Sequence, residues 1–156
     1  MKPVVYIETS VISYLTARPS RDMLVSAYQV ATREWWTAAS DRYELVASLL
    51  VIAEAGAGDR DAARSRLDTL KGVRLLETSP EIDLLAAALV DQGAVPHHAA
   101  GDAVHIATAS CHAANYLVSW NFRHIANAAM NPRIARVCRQ EGYELPFICT
   151  PSQLME

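Results

Sequence analysis

Val4-Val5-Tyr6-Ile7-Glu8 sets four apolar residues, three of them β-branched, directly before a carboxylate. A run this short suits a strand buried on both faces, and the acid that ends it would stand at the carboxyl edge of a sheet. Working outward, residues 44–47, 73–76, 116–120 and 147–150 read as four more short strands. Between them fall helical patterns. Residues 9–16 form the first, with Thr9 or Ser10 as N-cap. Arg18-Pro19-Ser20 interrupts it, and 22–40 resumes through Leu24, Tyr28, Ala31 and Trp35. Residues 49–57 end at Gly56 and Gly58, and 60–70 stop at Gly72. Ser79-Pro80-Glu81 opens the next helix in cap-then-proline order, and it runs to near Gly93. Gly101-Asp102 starts a helix over 103–113, and 132–140 form the last. Apolar strands alternating with helices imply an α/β domain: a parallel five-stranded sheet flanked by helices on both faces, as one domain over 1–156. In such sheets ligands sit beyond the carboxyl ends of the strands.

Composition agrees with one globular unit. The 156 residues are 51% hydrophobic and 20% charged, enough to bury a core without staples. No apolar run nears the roughly 20 residues that span a bilayer. The early Glu8 argues against a signal peptide. Cys111, Cys138 and Cys149 are widely spaced and form no C-x-x-C pair, as expected of reduced thiols in the cytoplasm. A net charge of −3 supplies no global basic field for nucleic acid, so any such contact must be local.

Three carboxylates interrupt stretches that otherwise read as buried. Glu8 ends the first strand, Glu54 stands within Leu49-Leu50-Val51-Ile52-Ala53-Glu54-Ala55, and Asp102 precedes Ala103-Val104-His105-Ile106-Ala107. Burying an unpaired charge is unfavourable, and several carboxylates at one point repel unless a cation joins them. Hard oxygen donors favour Mg2+ or Mn2+. Each residue also has a structural role open to it. Asp102 after Gly101 suits a helix cap, Glu54 a solvated helix face, and Glu8 a cap or a partner for an arginine. It is the three together, each beside a strand end, that point to a site.

These segments resemble the PIN-domain family, and within it the VapC-like toxins of type II toxin–antitoxin systems. The likeness rests on 5–15, on Ser48-Leu49-Leu50-Val51-Ile52-Ala53-Glu54, on 101–109 and on Tyr116-Leu117-Val118-Ser119-Trp120-Asn121-Phe122-Arg123-His124-Ile125, in that order along nearly the whole chain. It implies Mg2+- or Mn2+-dependent hydrolysis of RNA phosphodiester bonds, frequent homodimers, and an antitoxin protein whose tail covers the site. By position, Glu8, Glu54 and Asp102 match the first three acids of the family and its metal ligands. The fourth acidic position falls on Asn121, which removes one negative charge, and one well-bound metal is expected rather than two. Glu8 stands where most relatives carry Asp. Asp102 and Glu8 are expected to ligate chiefly, with Glu54 ligating or orienting water, Asn121 positioning water or phosphate, and Ser10 orienting Glu8 or capping.

Other residues invite weaker readings. His105 follows Asp102 by one helical turn and reads as a core histidine or one supporting the site. Zinc held by His105 with His97 and His98 has no ligand spacing behind it. Arg123 and His124 are candidate phosphate contacts or a solvated helix start, and Arg18 and Arg21 are fainter ones. Trp35 and Trp36 read as core and dimer surface, and Trp120 as strand-end packing. One alternative is a PIN-like module that binds RNA or assembles without cutting, and Asn121 is what admits it. Aspartyl phosphatases want Asp-x-Asp where this chain has Glu8-Thr9-Ser10. A receiver domain needs an Asp ending its third strand and a later Lys, and no Lys follows Lys71. No Gly-rich phosphate loop or G-x-S-x-G elbow occurs.

Overall fold

The computed structural model describes residues 1–155. Five strands, β1 (Val4–Ile7), β2 (Glu44–Ala47), β3 (Arg74–Leu75), β4 (Tyr116–Val118) and β5 (Phe147–Cys149), form one sheet. Their order is β3-β2-β1-β4-β5 and every pairing is parallel. Seven α-helices connect them: α1 (Thr9–Thr16), α2 (Met23–Arg42), α3 (Leu49–Ala55), α4 (Arg60–Leu70), α5 (Pro80–Asp91), α6 (Ala100–Cys111) and α7 (Asn131–Gln140). Short 3-10 turns occupy His97–Ala99 and Pro151–Leu154. The expected α/β sheet is present.

The strand order explains how two helical layers arise. From β1 the chain moves outward to β2 and β3, then returns past β1 to β4 and β5. Right-handed crossovers therefore put α1 to α4 on one face and α5 to α7 on the other. The packing agrees: α1 lies against α2, α3 and α4, while α5 lies against α6 and α7. The direction reverses between β1 and β4, so the cleft at the carboxyl ends of these two strands is the switch point where ligands collect.

β1 is central, and its Val5, Tyr6 and Ile7 are fully buried. Together with Ile12, Leu85, Leu89, Ile106, Leu117 and Ile134 they make the densest part of the core. Burying such side chains contributes about 1.5–3 kcal/mol each. Several boundaries differ from the sequence reading: α6 begins at Ala100 rather than after Asp102 and ends at Cys111, α2 runs on to Arg42, α3 stops at Ala55 and β5 at Cys149. The cap of α1 is Glu8 rather than Thr9 or Ser10, because the Glu8 carboxylate reaches the Ser10 amide. β3 keeps only two residues, both exposed. β4 stops at Val118, because Ser119 and Trp120 turn toward the cleft. α5 ends as expected before Gly93, whose φ of 73° lies in the left-handed region that glycine adopts without strain.

Candidate metal centre

The Glu8 amide donates to the Val118 carbonyl at 3.1 Å, extending the β1–β4 ladder by one bond and fixing where the carboxylate emerges. Glu8 is only 6% exposed. Its Oε1 accepts from the Ser10 and Ser119 hydroxyls, both at 2.5 Å, and its Oε2 from the Ser10 amide at 3.1 Å. These donors replace the water lost on burial. Ser10 does double duty, since its Oγ also accepts from the Trp120 amide at 2.8 Å.

Glu54 approaches from α3, whose start is capped by Ser48 bonding the Val51 amide. Its Oε1 accepts from Thr9 Oγ1 and from His105 Nε2, each at 2.6 Å. Partial burial works to raise the Glu54 carboxyl. The hydrogen bond and attraction of His105, with the Thr9 hydroxyl, outweigh it and hold the group below the usual carboxylate range. His105 is fully buried on α6, and its other nitrogen, Nδ1, lies 2.7 Å from the Tyr6 hydroxyl, itself 2.7 Å from Ser48 Oγ. A carboxylate only accepts, so Nε2 carries the proton. With a neutral ring the order is then Ser48 to Tyr6 to His105 to Glu54, one donor per link. Burial, with the nearby charges of Glu8 and Glu54, pushes the Tyr6 phenol far up and keeps it protonated.

Glu8, Glu54 and His105 each bring a ligand atom within 4.8 Å of the others. Two carboxylates this close repel, and each retains unused lone pairs. With Nε2 protonated toward Glu54 and Nδ1 taken by Tyr6, His105 has no lone pair left to ligate. The two hard carboxylate oxygens are the donors that fit a divalent cation such as Mg2+ or Mn2+. Asp102 is not in this trio. It occupies the first turn of α6 but does not cap it, and its carboxylate lies 3.1 Å from His124 Nδ1. The preceding Gly101 lies against Glu54, where a Cβ would stand 3.9 Å from Oε2. His105 and Asp102 therefore lie one turn apart yet engage different partners.

Asn121 uses its side-chain oxygen on the backbone. Its Oδ1 accepts from the Arg123 and His124 amides at 3.2 and 3.0 Å, capping the turn after β4. Arg123 is exposed and in no ion pair among the described residues. His97 and His98 are exposed and do not approach His105; His98 instead meets His124 edge to face at 5.5 Å. Trp120 is packed as expected at 4% exposure, with Nε1 donating to Thr32 Oγ1 at 2.8 Å. Trp35 is buried and Trp36 packs against the core. Tyr6, Ser48, Thr9 and Ser119 escaped the sequence reading. The signal they offered was a hydroxyl at or next to a strand end.

No protein-family model matches the chain, and no curated protein does. Among solved structures the chain is similar to one from the crystal structure of VapBC2 from Rickettsia felis bound to a DNA fragment from its promoter. The identity is 14%, the alignment covers 94% of this chain and 98% of that one, and the TM-score is 0.60. The fold is PIN-like. Among the described residues no helix is long and apolar enough to cross a membrane.

Proposed function

We propose that this chain is a divalent-metal-dependent ribonuclease, the toxin partner of an antitoxin protein, acting on RNA in the cytoplasm as a single-domain homodimer. The observation that supports it best is the convergence of Glu8 and Glu54, with His105 behind them, at the switch point of a PIN-like sheet. Glu8 and Glu54 would hold Mg2+ or Mn2+, with Asp102 joining from the first turn of α6 once freed from His124. Bound there, the cation supplies charge neutralisation at a phosphodiester and acidifies water. The chain's own residues do the rest. Ser10 and Ser119 orient the Glu8 carboxylate, and His105 and Thr9 orient Glu54. Glu54, held ionised by His105 and Thr9, keeps Oε2 free to ligate or to orient and deprotonate an attacking water. Its lowered proton affinity makes it a weak base, so orientation is its larger share. Asn121, Ser10, Arg123 and His124 bound the side from which a phosphate would enter.

An antitoxin is proposed because the matched solved structure is VapBC2 on its promoter DNA. A homodimer is proposed because α2 leaves Met23, Leu24 and Val30 exposed.

The test is cleavage of a mixed RNA panel by purified protein with Mn2+, Mg2+ or EDTA, beside Asp102→Asn and Glu8→Gln. Metal-dependent cutting that both variants lose supports the reading. Metal-loaded, folded protein that cuts nothing overturns it in favour of a non-cleaving RNA-binding or assembly module. The capping role of Asn121, at the fourth acidic position of the family, is the observation that favours that second reading.

A further inference from the structure

Trp120 has its main chain on one feature and its side chain on another. Its amide is tied to Ser10 Oγ, the hydroxyl that also holds Glu8. Its indole faces the other way and lines a cleft of about 340 Å³ between α2, the turn after β4, and the chain end around β5. Three aromatic rings meet there. Tyr28 stacks on Trp120 with centroids 4.4 Å apart and planes 26° apart, and Phe122 closes against both at 5.6 and 6.0 Å. The indole is pinned through Thr32 and cannot swing out. Phe122, by contrast, is 46% exposed, and nothing in its own turn requires a phenyl ring in water.

The opposite wall is polar. Gln153 uses its Oε1 on the Thr150 amide and leaves Nε2 without a partner among the described residues. Ser152 and Asn131 stand beside it. The Asn131 amide is oriented so that its nitrogen donates to the Asn127 and Ile125 carbonyls, each at 3.0 Å, which turns its oxygen the other way. A ring-faced floor with the amides of Gln153 and Asn131 along one edge, beside a Ser152 hydroxyl bonded to Thr150 Oγ1, matches a flat heterocycle that stacks and hydrogen-bonds at its rim. Apolar peptide side chains would leave those polar groups unanswered.

Resting on the reading of this chain as a protein that acts on RNA, we propose that the cleft takes one unpaired nucleobase beside the Glu8–Glu54 cluster. Phe122 is its stacking face, and the amides of Asn131 and Gln153 are its edge contacts. Trp120 couples the two places, because moving its indole would move the amide bonded to Ser10. The site selects single strands, since a base paired in a duplex cannot leave its stack to enter.

The experiment uses the full chain in EDTA with a short single-stranded RNA carrying one 2-aminopurine, whose fluorescence is quenched on stacking. Wild type should bind and quench it. Phe122→Ala should weaken binding about 5- to 100-fold, Phe122→Tyr should restore it, and Mn2+ affinity should be the same in all three. Duplex RNA of the same sequence should give no quench. Unchanged binding and quenching in Phe122→Ala overturns the proposal. So does a Phe122→Ala protein whose only change is its sedimentation, because the ring then belongs to an interface between two copies. Failure of the nuclease reading looks different: wild type would quench normally yet cut no RNA with any metal.

Discussion

Removing the phenol oxygen of Tyr6 would strip a partner from Ser48 and from His105 Nδ1 at once while keeping the ring that packs the core. Tyr6→Phe is therefore expected to lose about 1–3 kcal/mol of stability, the penalty for buried groups left unsatisfied, and a urea midpoint at neutral pH measures it. The same variant should disturb Glu54 through His105, so metal affinity should fall with it. Ser119→Ala acts on the other carboxylate. It removes one of three donors to Glu8 without touching a ligand, and a loss of about 10- to 100-fold in Mn2+ affinity by calorimetry is the expected result. An unchanged affinity would mean Ser10 alone suffices to aim Glu8. At this scale the sequence was only half legible. The carboxylates announced themselves by interrupting apolar runs. The role of His105 did not, because its partners Tyr6 and Glu54 lie 99 and 51 residues away. Nor did the pairing of Asp102 with His124, which follows from how the turn after β4 folds back onto α6.

The elements were more readable than the side chains, for a physical reason. Strands buried on both faces appear as short branched apolar runs, and every expected strand formed. β3 shrank because Arg74 and Leu75 sit exposed at a sheet edge, where pairing on one side alone supports little length. β4 ends because the Trp120 amide goes to Ser10 Oγ instead of the ladder, while Ser119 keeps one last bond to the Cys149 carbonyl and turns its hydroxyl to Glu8. The β5 edge carries a titration that the sequence could not reveal. Burial pushes the Cys149 thiol from 9.0 up to about 11. Across that interval the unfolded chain has shed the proton and the folded chain retains it. Native protein then binds more protons, so stability falls as pH rises from about 9 to 11. The buried Tyr6 phenol, raised further still, continues the decline. Urea midpoints at pH 8 and pH 11 should show it, and Cys149→Ala should reduce the drop without abolishing it.

For the whole molecule, a cation that binds only the folded chain stabilises it by mass action. At a hundred times its dissociation constant this amounts to about 2.7 kcal/mol, or roughly 5–10 °C in Tm for a chain of this size. Thermal unfolding with and without Mn2+ should show that rise, and Glu8→Gln should erase it. The proposed dimer is tested by sedimentation, where Leu24→Asp with Val30→Asp should give the monomer. Both expectations depend on a sheet whose centre joins distant parts of the sequence. Glu8 is made well before its hydroxyl partner Ser119, 111 residues further on, and before the strand whose Val118 carbonyl fixes its amide. A growing chain that has made β1 but not β4 owns the acid without the scaffold that aims it. Truncated or stalled products lack the aimed carboxylate for the same reason, and the cluster is assembled only after translation has passed β4.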